Sequence, residues 1–259
     1  MLWALLLIIV GGILLLDNFL LLGDFNATAL LPLILVVIGA QILLRGDINI
    51  DEEVRRFGIT RGSVESATLE VSSGEIDVEI RALPEDLRLR DNQFALTAGQ
   101  FAANSRPALQ IDQTYAHLKM LRKKTSLFSM ADWRVGVAND LPWQVLVSAS
   151  LGQVTLDLSQ MIIHDGLIAT GFGDIQLTAP PEAFGTIHLR STLGNIHVVT
   201  PEGYNVTITV QAGHFFGVNV DEMRYEMDES GIYLAKDVDP NAPRVNILVS
   251  GTFGDAYLA

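Results

Sequence analysis

Apolar and polar residues alternate through the second half of the chain, and the alternation repeats in phase with glycine. Gly152, Gly173 and Gly194 are spaced 173 − 152 = 21 and 194 − 173 = 21 residues apart. Five residues before each glycine stand Val147, Ile168 and Leu189, and three before it the small Ala149, Thr170 and Ser191. Immediately before it come Leu151, Phe172 and Leu193. After it the apolar pairs are Val154 and Leu156, Ile175 and Leu177, Ile196 and Val198, with Gln153, Thr155, Asp174, Gln176, Asn195 and His197 in the alternate places. Period-two alternation on both sides of a fixed glycine predicts a strand, a corner and a second strand in each repeat. "APPEAFG" and "TPEGYN" supply return turns, since proline ends pairing and glycine permits a tight bend.

A constant period favours stacked repeats over a sandwich, which needs alternating strands but no fixed spacing. Like residues then fall in like columns, and neighbouring rungs bury a core that none could bury alone. The expected fold is an all-β, β-helix-like solenoid of about 21-residue repeats covering residues 66–259. The columns of Val147, Ile168 and Leu189 and of Leu151, Phe172 and Leu193 are both expected to line its core. "ATLEVSSGEIDVEI" around Gly74 and "VNILVSGTFGDAYL" around Gly254 repeat the phrase, the first with Ile76 and Val78 after its glycine. In "VTITVQAGHFFGVNV" the set Val218 and Val220 is one residue out of frame, which predicts a bulged rung. Residues 81–140 read as an irregular section: "FALTAGQF" and "ALQIDQTY" look like strands, and "YAHLKMLRKKTSLFSMADW" like a loop or short helix crossing the solenoid.

The N-terminus follows a different pattern. Leu2–Leu16 and Ala29–Leu44 carry no charge, and with flanking residues each reaches the roughly 17–20 residues that span a bilayer. They predict an α-helical transmembrane hairpin over residues 1–46, followed by a linker over 47–65. Gly11, Gly12, Gly39 and Ala40 would let the two helices pack closely. A cleaved signal peptide would carry a basic n-region, and no Lys or Arg precedes the first apolar run. Arg45, Arg55, Arg56 and Arg61 follow the second span, whereas the connecting loop has Asp24 and no basic residue. The expected localisation is therefore a two-pass protein of the cell membrane with a cytoplasmic solenoid.

Composition narrows the function. The 259-residue chain has no cysteine, which excludes disulfides and thiolate metal sites. Its formal charge of −13 argues against nucleic-acid binding. No phosphate loop, GxSxG elbow or HExxH pair occurs. The histidines are His117, His164, His188, His197 and His214. His188 and His197 could meet across a corner, but His197 falls in an outward column, as a solvated strand residue does. Asp165, Asp174, Asp255 and Glu75 fall at turns or outward columns without a calcium nonapeptide pattern. Arg122, Lys123 and Lys124 form a basic cluster that fits a solvated surface or a contact with lipid headgroups. The sequence thus predicts no catalytic, cofactor-binding or metal residue, no cofactor and no enzymatic activity.

Two phrases together carry a family resemblance. "GGILLLDNFLLLG…LLPLILVVIGAQILLR" resembles the membrane hairpin of LiaI/LiaF-like bacterial envelope proteins. The stretch from Trp143 to Ile208, with Gly152–Ser159 and Gly194–Pro201 as its recurring phrases, resembles their C-terminal toastrack, or adhesin-like, domain. The resemblance implies a non-enzymatic, membrane-anchored β-solenoid that modulates or scaffolds envelope-stress signalling. Its implied partners are membrane lipid, a membrane sensor kinase or another hairpin protein; a homo-oligomer is compatible with it. The alternative is a structural or adhesive protein displayed outside the membrane.

Overall fold

The computed structural model of the protein describes residues 54–90, 93–102, 105–122 and 132–259. The chain divides into a unit of Met1–Ile50 and a unit of Asp51–Ala259. The hairpin expected over residues 1–46 lies outside the described residues. Among the described residues no helix is long and apolar enough to cross a membrane.

The described unit is a stack of parallel two-strand rungs, with one helical turn at Glu85–Arg88. In spatial order the first rung is Tyr115–Leu121 with Trp133–Val137, and the second is Ser66–Gly74 with Val78–Ala82. The third is Pro142–Leu151 with Val154–Asp157, and the fourth Ile162–Phe172 with Ile175–Thr178. The fifth is Thr186–Leu193 with Ile196–Val199. The sixth is the continuous strand Arg244–Leu258, and the seventh Asn205–Val220. The stack does not follow the chain at its ends. The chain enters at the second rung, steps back to the first, and resumes at the third; later it lays down the seventh before the sixth fills the gap.

Registers place the predicted columns over one another. Met120, Val71, Val147, Ile168, Leu189, Val249 and Val210 form one inward column. On the other face Val135, Ile80, Leu156, Leu177, Val198 and Leu258 form another. All of these except Val210 are buried in a single core.

The glycine at the corner is required twice over. Gly152, Gly173, Gly194 and Gly254 have φ of 135°, 137°, 146° and 123°, where an L side chain is strained. A Cβ on Gly173 would lie 2.1 Å from the Gly152 carbonyl oxygen, one on Gly194 2.3 Å from that of Gly173, and one on Gly254 2.3 Å from that of Gly194. Backbone pairing continues through the bend: the N–H of Gly152 donates to Phe172 O at 2.9 Å, and that of Gly173 to Leu193 O at 3.0 Å.

Four expectations are corrected. First, the Leu151–Phe172–Leu193 column is outside the core, because at the convex bend only the small Ala149, Thr170 and Ser191 fit inward. Second, residues 81–140 are not wholly irregular. Tyr115–Leu121 and Trp133–Val137 form a regular rung whose Ala116, Leu118, Met120, Trp133, Val135 and Val137 are buried; no helix crosses there among the described residues, and 123–131 lies outside them. Third, part of the supposed linker 47–65 is structured. Val54–Thr60 pairs antiparallel with Gln93–Ala102, since Phe57 and Ile59 find apolar partners on the core. Fourth, the second rung turns two residues later: Val78 and Ile80, not Ile76 and Val78, sit beside Val154 and Leu156. Ile76 takes the place of the corner glycine and is itself buried.

The seventh rung carries its bulge between Ala212 and Phe215, where two residues face the single Thr252. That extra residue returns Val218 and Val220 to the columns of Ala256 and Leu258. Phe216 then stands opposite Gly254, and its ring fills the space over Gly251, where a Cβ would meet the ring at 2.0 Å.

Two measurements check this register. Ile175 is buried and Gln176 exposed. Ile175→Asp should therefore destabilise by several kcal/mol, against about 0.5 kcal/mol for Gln176→Asp, in chemical denaturation; equal midpoints would refute the inward assignment. Gly173→Ala should cost more than about 3 kcal/mol, because no neighbour except backbone can yield. Gly62→Ala, at φ 58° with open space around it, should cost only about 1–2 kcal/mol.

Candidate interaction surface

The outward column at the corner is apolar. Leu151, Phe172, Leu193, Phe253 and Phe215 stand in register on five successive rungs. They are 45%, 53%, 47%, 45% and 71% exposed, respectively. The rings of Phe253 and Phe215 stack at 5.3 Å with an interplanar angle of 10°. With strands about 4.8 Å apart the ladder runs roughly 19 Å along the solenoid. Its position follows from the bend: the residue before the glycine swings outward, so every repeat that keeps a large apolar residue there adds one step.

A polar ladder lies just past the glycines. Asn195 N–H donates to Asp174 Oδ1 at 2.7 Å, and Asp255 N–H to Asn195 Oδ1 at 3.0 Å. Gln153 N–H donates to Asp77 Oδ1 at 2.7 Å. The side chains of Asp77, Asp174 and Asn195 therefore fasten one rung to the next and have a structural task. Such in-register exposure of large side chains is the mark of a contact surface rather than of scattered surface leucines.

His188 and His197 do not converge. His188 lies on the first face between Leu167 and Leu248, whereas His197 lies on the second and stacks on Tyr257 at 4.7 Å. His164 Nδ1 is 3.0 Å from Asp165 Oδ2, and Gln144 Nε2 donates to Asp165 Oδ1 at 2.9 Å. His117 Nε2 is 2.9 Å from Glu70 Oε2, and the Lys119 ammonium lies 3.1 Å from the same oxygen. Lys119, followed by His117, holds the Glu70 carboxyl below its usual range. His214 is exposed on the seventh rung. Among the described residues no group of His, Asp and Glu is arranged to hold a metal ion. Of the basic cluster, Arg122 donates its backbone N–H to Ser72 O at 3.0 Å; Lys123 and Lys124 lie outside the described residues.

A groove of about 640 Å³ opens beside Val54–Thr60 and is lined by Arg56, Phe57, Leu83, Leu87, Gly99 and Arg134 among others. No carboxylate, serine or histidine lines it, and Arg134 turns to Glu79 at 3.4 Å and Asp132 at 3.7 Å. It therefore presents no nucleophile with a base beside it.

The alternation that marks the ladder was legible in the sequence, but its exposure was not. Leu151, Phe172 and Leu193 belong both to the expected core column and to the exposed ladder, and only the corner geometry separates the two readings.

Neither a protein-family model nor a curated protein matches the chain. A solved structure named as a candidate cell adhesion protein from Clostridium sporogenes aligns with a TM-score of 0.66 and 14% identity, covering 80% of this chain and 99% of that one. A candidate adhesin from Bacteroides fragilis covers 81% of this chain and 98% of its own at 7% identity, with a TM-score of only 0.35. The chain thus shares its fold with the first of these, over nearly the whole length of that protein.

Proposed function

We propose that this chain is a non-catalytic, membrane-anchored β-solenoid that works by contact, with the ladder of Leu151, Phe172, Leu193, Phe253 and Phe215 as its contact surface. The observation that carries this reading is the exposure of five large apolar side chains in one register. Most of these side chains are already about half buried, so covering what remains is worth about 1 kcal/mol each. A flat or ridged partner that covers the whole ladder gains about 5 kcal/mol toward the cost of association.

An adhesive or structural role fits this surface best. It is supported by the fold shared with the candidate cell adhesion protein and by the place of the basic residues. Arg55 and Arg56 belong to the strand Val54–Thr60, and Arg61 is ion-paired with Asp140. Charges built into a folded domain count for little in orienting a span, since large domains cross largely regardless of charge. The second reading is modulation of envelope-stress signalling by a cytoplasmic solenoid in contact with a sensor kinase or another hairpin protein. It rests on the resemblance of the N-terminal phrase and on the Arg45–Arg61 asymmetry.

Two experiments test these readings. A photo-crosslinking amino acid at Phe172 or Leu193 in living cells should give adducts of higher mass, while one at Gln176 on the second face should not. No adduct at either ladder position would refute the contact surface. A cysteine at Gln176, in a chain otherwise free of cysteine, then reports the side of the membrane. Labelling by a membrane-impermeant thiol reagent in intact cells is expected for the adhesive role; protection until lysis would overturn it in favour of signalling.

A further inference from the structure

The two ends of the stack are built differently. At the first rung, Ala108–Asp112 pairs antiparallel with Tyr115–Leu121, and Gln93–Ala102 with Trp133–Val137; Val54–Thr60 then covers Gln93–Ala102. The outermost strands there carry Asp112 on one face and Arg55 and Arg56 on the other. Charged side chains on an edge strand discourage pairing with another chain.

The seventh rung lacks this protection. Its strand Asn205–Val220, "NVTITVQAGHFFGVNV", contains no Lys, Arg, Asp or Glu, in a chain with a formal charge of −13. On its outer side only Thr207 and Ile208 are paired, with Leu234 and Tyr233. Among the described residues no strand pairs with the outer edge of residues 209–220. The core is also incompletely closed there. Val249, Ala256 and Leu258 of the sixth rung are buried, whereas Val210, Val218 and Val220, which lie over them, are only half-buried. An uncharged edge with unused backbone groups and half-exposed inward valines is a pairing surface.

We infer that this edge pairs with the same edge of a second copy of the chain, forming a two-fold, head-to-head dimer in which the solenoids join end to end. The free edge is symmetric about its own corner, with His214 and Phe215 at its centre. A two-fold axis through that corner lays the arm before the bend of one copy on the arm after the bend of the other. The chain runs toward the corner in one arm and away from it in the other, so the pairing is antiparallel. An isologous contact of this kind needs one self-complementary patch, and the strand itself sets no charged side chain against its copy.

The test uses the full chain in detergent micelles. Light scattering should give the protein mass of two copies. Gln211→Lys combined with Asn219→Lys, the first exposed and the second half-buried, should reduce this to one copy while the circular dichroism spectrum remains that of the folded chain. The axis would set the new ammonium groups of the two copies against each other. Oxidation of a His214→Cys variant should give a covalent dimer, because Cα atoms beside the axis fall within the 4.4–6.8 Å that a disulfide spans. Gln160→Cys, on a return turn, should not. A single-copy mass for the unaltered chain would overturn the inference. So would a dimer that survives the double substitution, or one in which His214→Cys fails to cross-link, since the copies would then meet elsewhere.

Discussion

The solenoid depends on backbone meeting backbone at its corner. Where Gly173 passes Gly152, the carbonyl oxygen of one occupies the place that a Cβ of the other would need. The same contact recurs between Gly194 and Gly173 and between Gly254 and Gly194. Parallel strands about 4.8 Å apart fix the vertical spacing, so the bend can repeat only if nothing projects between the rungs. Glycine satisfies both this spacing and the positive φ. From that constraint follow the constant period, the small residues at the inner side of the bend, and the outward swing of the residue just before the glycine. Core and exposed apolar ladder are thus products of one local geometry.

The order of the rungs adds a second constraint. Arg244–Leu258 lies between Thr186–Leu193 and Asn205–Val220 and completes the pairing of both. The seventh rung has no lattice to join until the sixth is in place, so this end of the stack forms through contacts between segments distant in sequence. The bulge at Ala212–Phe215 and the ring of Phe216 over Gly251 lie at this junction of the sixth and seventh rungs. They let a strand whose spacing differs by one residue keep Val218 and Val220 in the shared columns.

Much of this architecture could be read from the residues, because a stack of near-identical rungs writes its columns directly into the sequence. Val147, Ile168 and Leu189 lie where the 21-residue period puts them, and so do Ile175 and Ile196. The first rung escaped that reading for a physical reason. Its strands carry the same alternation, in Ala116, Leu118 and Met120 and then in Trp133, Val135 and Val137, but a long connection replaces the single corner glycine, so a search anchored on glycine passes over it. Val54–Thr60 was hidden by its arginines, which suggest a solvated linker but lie on an edge strand whose Phe57 and Ile59 pack on the core. The ladder was misassigned because alternation predicts facing only along a straight strand. Leu151 has the parity of Val147 and Ala149, and the bend between Ala149 and Gly152 cancels it.

A contact surface made this way differs from a pocket. A pocket brings unlike groups from distant segments to one point and can be lost by a single displacement. A ladder sets like groups at a fixed interval, so its length scales with the number of rungs and its shape is as rigid as the backbone beneath it. The polar ladder reinforces this rigidity, since the side chains of Asp77, Asp174 and Asn195 accept from the backbone N–H groups of Gln153, Asn195 and Asp255 on the adjacent rungs. The exposed apolar groups therefore lose little conformational freedom on meeting a partner, because the scaffold has already fixed their spacing. What such a surface gains in preorganisation it gives up in chemical discrimination. Leu151, Phe172 and Leu193 offer area and spacing but no hydrogen bond, so what such a surface can match is shape repeated at the interval of the rungs.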